Sequence, residues 1–130
     1  MTSIQAPAFN EPGLFGKLTS MSMTELDELD FGVIEFDADG LVQRYNAFES
    51  KAAGLSTSRV LGLAFFTVVA PCMNNYLVSQ RFDDAAAEGS VLDDTIDYVL
   101  TLRMRPVKVR LRLMAEPGTP HRYVLVQRSL

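Results

Sequence analysis

The chain has one cysteine, Cys72, at the end of the run Phe65-Phe66-Thr67-Val68-Val69-Ala70-Pro71-Cys72. A lone thiol in an apolar stretch is usually a small buried hydrophobe, but as a thiolate it is also a nucleophile that can carry a covalently attached group. Upstream, Tyr45-Asn46-Ala47-Phe48-Glu49 places a phenol and a carboxylic acid four residues apart. If Asn46 begins a helix, those positions share a face and can meet one ligand. Tyr45 can donate its O–H, and Glu49 can donate only when protonated. Taken singly, each residue has a plainer reading: Glu49 on a solvated helix face, Tyr45 and the Phe65-Phe66 pair in the core. Together, one thiol, one phenol and one acid suffice to hold a covalently attached, charged group.

The elements that must position these residues follow from pattern. The chain has 130 residues, 48% of them hydrophobic and 22% charged, a globular composition with material for one two-layer core. A net charge of −4 gives no general attraction to nucleic acid or anionic membrane. A single cysteine makes no disulfide framework and suits a reducing compartment. Met1-Thr2-Ser3-Ile4-Gln5-Ala6-Pro7 has no basic region with an apolar stretch behind it, so the expectation is a cytoplasmic protein without a signal peptide. The apolar run from Leu61 to Cys72 is too short to span a bilayer.

Residues 1 to about 21 are weakly patterned, though Phe9, Leu14, Phe15, Leu18 and Met21 can pack as a cap. A short helix capped by Ser22 or Thr24 follows, with Met23, Leu26 and Leu29 on one face. Phe31–Phe36 and Leu41–Tyr45 read as a hairpin about the turn Asp37-Ala38-Asp39-Gly40. Asn46 caps a helix to about Ala53, stopped by Gly54, and Ser56 or Ser58 starts a further short turn. Residues 63 to 75 are apolar but irregular. A helix from about Tyr76 to Glu88 is expected to bury Tyr76, Val78, Phe82 and Ala86. Three strands follow: one around Ile96, Tyr98, Leu100 and Leu102, one from Val107 to Leu113, and one from Arg122 to Gln127.

Two strands, short helices, one longer helix and three strands give an α+β chain. Its expected form is a PAS fold: a five-stranded antiparallel sheet with short helices on one face and an N-terminal cap. The expected division is a cap over 1-28 and a ligand-binding domain over 29-130.

On specific residues, the chain resembles the photoactive yellow protein family. The matching pieces are Phe31-Gly32-x-Ile34, Asp39-Gly40, Tyr45-Asn46-Ala47-x-Glu49, Gly62-x-x-Phe65-Phe66, Val69-Ala70-Pro71-Cys72, Asp97-Tyr98, Met104-x-Pro106-x-Lys108-Val109 and a strand ending near Gln127-Arg128. The resemblance implies a PAS-fold blue-light photoreceptor, not an enzyme, with p-coumaric acid (4-hydroxycinnamic acid) bound as a thioester to Cys72. Tyr45 and Glu49 would hydrogen-bond its phenolate oxygen. Ile34, Ala53, Leu55, Phe65, Val69, Ala70, Leu100, Leu102 and Met104 would complete the chromophore site. Hydrogen bonds to an ionised oxygen are short and strong, and burial favours the neutral acid that must donate one.

The resemblance further implies trans-to-cis isomerisation in blue light, then proton transfer from Glu49 to the phenolate. An unpaired carboxylate left in the core costs several kcal/mol, a fair part of roughly 5–15 kcal/mol of domain stability. Partial unfolding that releases the cap would then signal to a downstream protein, from a monomer or weak dimer. Against the family pattern, Ala53 replaces a threonine that touches the tyrosine, and Leu55 replaces an arginine that screens the chromophore. Leu100 and Leu102 replace an aromatic pair, while Met104, expected over the chromophore, is retained. Altered colour and kinetics are expected, with the attachment intact.

Other readings remain in view. A PAS module without chromophore would serve interaction or small-ligand sensing. A thiol enzyme using Cys72 would need a base, and His121 is the one histidine. A flavin photoreceptor is disfavoured because Cys72 lies outside the Asn-Cys-Arg-Phe context such domains use. Haem is disfavoured because His121 sits at a turn, and one cysteine with one histidine makes no structural zinc site. Arg103, Arg105, Lys108, Arg110 and Arg112 form the basic cluster, read as a solvated strand face without the exposed aromatics that single-stranded nucleic acid needs.

Overall fold

Alternating apolar residues build a single antiparallel sheet in the order β2-β1-β5-β4-β3. Its strands are β1 (Gly32–Phe36), β2 (Val42–Tyr45), β3 (Leu92–Leu100), β4 (Val107–Ala115) and β5 (Arg122–Gln127). The computed structural model describes residues 6–101 and 105–128. In the β1–β2 turn, Asp37 Oδ1 accepts from the amides of Asp39 and Leu41, and Gly40 takes φ 81°, a left-handed value that suits glycine. The β1–β2 register sets Ile34 opposite Tyr45 and so brings Tyr45 beside the sheet's interior.

One face carries α3 (Ala47–Ala53), α4 (Thr57–Val60), a π-helical turn (Phe65–Val69), a 3-10 turn (Pro71–Met73) and α5 (Ser79–Glu88). Between them and the sheet lies a core that includes Ile34, Tyr45, Phe65, Met73, Phe82 and Val124. Phe36 stacks on Phe65 at 5.3 Å and meets Phe82 edge-on at 5.0 Å. The other face is covered by α1 (Leu14–Ser20) and α2 (Met23–Leu26). Phe9, Leu14, Leu18, Leu26 and Phe31 pack there on Met114, Tyr123 and Leu125. With both faces covered, β1 is buried at every position.

The N-terminal segment is also held by polar contacts. Arg44 donates to the carbonyls of Met21 (2.5 Å) and Leu18 (2.8 Å) while its Nε binds Glu35 at 2.7 Å. Arg112 donates to the carbonyls of Phe9 (3.0 Å) and Glu11 (2.8 Å) and is paired with Asp93 at 2.8 and 2.9 Å. Arg112 is thus 6% exposed, which corrects its reading as part of a solvated face. Arg110 does match that reading: it is exposed, beside Asp97.

Other expectations also shift. Tyr76 is 77% exposed, and Ala85 rather than Ala86 is buried on α5. Asn75 Oδ1 accepts from the amides of Leu77 and Val78, so this stretch is a turn and the helix begins three residues late. β3 begins at Leu92, earlier than its apolar alternation shows. Ser22 caps α2 through a capping box with Glu25. His121 is half-buried and lies 3.0 Å from Glu35 Oε2. No helix among the described residues is long and apolar enough to cross a membrane.

Candidate functional site

Tyr45 ends β2 and Asn46 opens α3, and the Asn46 side chain decides how that helix sits. Its Oδ1 accepts from the amides of Glu49 (3.1 Å) and Val33 (2.9 Å), and its Nδ2 donates to the carbonyls of Leu26 (2.9 Å) and Phe31 (3.0 Å). One buried amide therefore caps α3, ties it to β1 and reaches the N-terminal segment. Gly54 closes the helix at φ 71°. So fixed, α3 turns Glu49 inward, where it is 2% exposed.

The Glu49 carboxyl lies over Gly32, where an added Cβ would collide with Oε1. Arg128, just past β5, grips both oxygens: Nη1 to Oε1 at 2.6 Å and Nη2 to Oε2 at 2.9 Å. The sequence reading left an ionised Glu49 unpaired; the structure gives it a partner. Burial pushes the Glu49 carboxyl above its ordinary value, while hydrogen bonds and charge from Arg128 pull it back. Tyr45 is raised far above the ordinary phenol value, first by burial and then by the Glu49 charge, with Arg128 opposing. It is a neutral phenol at physiological pH and so retains its proton for donation.

Cys72 sits in the 3-10 turn that Pro71 opens, half-buried and packed against the core that contains Tyr45. Its carbonyl accepts from Tyr98 Oη at 2.5 Å and from Asn75 Nδ2 at 3.1 Å. Asn75 also donates to Tyr98 Oη at 2.7 Å, so β3 and the approach to α5 together fix the thiol-bearing turn. On its outer side Cys72 borders an open groove of about 790 Å³ with Leu77, Tyr98, Val99 and Lys108. Neither Tyr45 nor Glu49 lines that groove.

Ile34, Phe65, Val69, Ala70 and Leu100 all lie in the Tyr45 core, and Leu55 packs against it half-buried. Ala53 is buried on α3. Leu102 and Met104 lie outside the described residues. Gly32, Asn75, Tyr98 and Arg128 were not among the expected site residues. For Arg128 the available signals were its place in the family-like strand end Gln127-Arg128 and a long cation directly after a strand buried along its middle.

The PAS fold family matches residues 26–130, which include Tyr45, Glu49, Cys72 and Arg128. The photoactive yellow protein of Halochromatium salexigens is 35% identical over 105 residues, 81% of this chain and 83% of that relative. The chain belongs to the photoactive yellow protein family. A second member, from Rhodothalassium salexigens, is 31% identical over the same shares. Among solved structures, the photoactive yellow protein domain from the sensor histidine kinase Ppr of Rhodospirillum centenum superimposes with a TM-score of 0.78 at 38% identity. That likeness covers 86% of this chain and 97% of the domain. The family that the sequence resemblance implied is thereby established. So is the PAS fold, with its five antiparallel strands and several short helices.

Proposed function

We propose that the chain is a blue-light photoreceptor that carries p-coumaric acid as a thioester on Cys72, with Tyr45 and Glu49 donating hydrogen bonds to the phenolate at the other end. The observation that carries this reading is the burial of the Tyr45 phenol in the core against which the free thiol of Cys72 packs, with the buried acid Glu49 close enough for its charge to act on that phenol. The residues fit such a group. Tyr45 holds its proton, Glu49 is turned inward, and Gly32 leaves room for the carboxyl. A buried phenolate needs such donors to offset its desolvation.

When bound, the group supplies absorption of blue light and isomerisation about its double bond. Cys72 tethers it through a backbone that Tyr98 and Asn75 hold in place. Glu49, when protonated, is the proton source. Ala53 offers Tyr45 no hydroxyl, and Leu55 sets no charge near the site. Asn46 bonds both the Glu49 amide and the Leu26 carbonyl, so displacement of Glu49 bears directly on the N-terminal segment. Release of residues 1-28 is the signal, handed to a downstream protein by a sensor that is not itself an enzyme.

The test is the visible band of the reconstituted protein. Tyr45→Phe and Glu49→Gln each remove or weaken a donor to the phenolate, so each moves the band. If neither moves it, the two side chains do not hold the chromophore. If no band forms at all, a chromophore-free sensing module is the reading that remains.

A further inference from the structure

The geometry points to Arg128 as the counter-ion of Glu49: the two form a closed ion pair, and that pair re-forms once Glu49 has given up its proton to the chromophore. The second half rests on the reading of Glu49 as proton donor.

Both Glu49 oxygens accept, one from each terminal nitrogen of the guanidinium, at 2.6 and 2.9 Å. That fork suits a carboxylate, because an ionised acid offers both oxygens as full acceptors and makes both bonds charge-assisted, whereas a protonated acid gives one oxygen over to an O–H donor. The pair is shielded from water, with side chains 3% and 17% exposed. Arg128 reaches Glu49 from the end of β5, next to β1, whose Gly32 leaves the carboxyl its space.

The arrangement changes the energetics of the light-driven step. To donate to a phenolate, Glu49 must take a proton and free an oxygen from the fork. When it loses that proton, the guanidinium is already at hand. The ionised state is then a buried pair rather than a lone buried charge, and the large penalty of an uncompensated charge does not arise. Arg128 therefore lengthens the life of the light state and weakens the drive to unfold. It does so through Glu49, as a positioning residue.

The chromophore-free protein gives the first readout. Infrared spectra at neutral pH, with Glu49→Gln as the reference, report the carbonyl stretch of a protonated Glu49. Wild type should lack it, Arg128→Gln should show it, and Arg128→Lys should show it only at lower pH than Arg128→Gln. A protonated Glu49 in wild type, or an ionised one in Arg128→Gln, overturns the pair. If Arg128→Gln does not fold, Arg128→Lys decides. Its single ammonium replaces a fork, so Glu49 should titrate at higher pH than in wild type, and an unchanged titration overturns the proposal. The reconstituted protein gives the second readout. Arg128→Gln should recover in the dark about tenfold faster, the equivalent of one pKa unit in the proton affinity of Glu49. Unchanged recovery overturns the light-state role. Failure to take up chromophore would sink the photoreceptor reading alone, because the first readout needs none.

Discussion

The carboxyl of Glu49 rests on the bare backbone of Gly32, and a methyl group there would collide with Oε1. This contact between a strand glycine and a helix acid fixes how deep the acid sits, and it has a direct consequence. Gly32→Ala should force Glu49 off Arg128 and lower stability by about 1–3 kcal/mol, the usual effect of overpacking a tight core. Denaturant unfolding measures the loss. An unchanged midpoint would mean the carboxyl has another place to go.

Asn46 makes four buried hydrogen bonds, two accepted and two donated. Asn46→Ala leaves those backbone groups unpaired and removes a helix cap, so a loss of about 2–4 kcal/mol is expected. Asn46→Asp keeps the acceptor and loses the donors to Leu26 and Phe31. It should retain α3 but loosen the N-terminal segment, seen as faster amide exchange over residues 14–26.

Arg112 holds the carbonyls of Phe9 and Glu11 against the sheet. Arg112→Met should release that stretch while the sheet stays folded, because its apolar core on the opposite face is untouched. Limited proteolysis should then cut near residues 9–13 while residues 26–128 stay intact. Loss of the whole domain at the same rate would show that the segment does not open separately.

Much of this was legible from residue order. Asn46 and Gly54 bracket α3 where sequence places its caps, because capping is local chemistry. The burial of Tyr45 and Glu49 follows from their four-residue spacing about the Asn46 cap, which is again local geometry. What was not legible depends on partners distant in sequence. Arg112 looks solvated until Asp93 and the Phe9 carbonyl arrive beside it. Asp93 looks unsuited to a strand until Arg112 pairs with it. Tyr76 fits a helical face in sequence, yet Asn75 turns the chain and points it outward. Arg128 lies 79 residues from Glu49, beyond any periodic pattern.

Glu49 sets a pH dependence. Its carboxyl is raised in the folded state by burial, against the pull of Arg128. A group that binds its proton more tightly when folded supports folding most below its unfolded value, about 4.3 for glutamate. That contribution is lost as pH rises through the folded-state value. The stability of wild type relative to Glu49→Gln should therefore fall as pH rises from about 4 toward neutrality. Thermal melts across that range check it; a difference that grows with pH would show that Arg128 outweighs burial.

The central claim is that the one thiol carries the light-absorbing group. Intact-mass analysis after incubation with activated p-coumarate tests it most directly, with Cys72→Ala alongside. Wild type should gain the mass of one p-coumaroyl group and a visible absorption band, and Cys72→Ala should gain neither. A wild-type protein that takes up no adduct, or an adduct that persists without Cys72, would contradict the account.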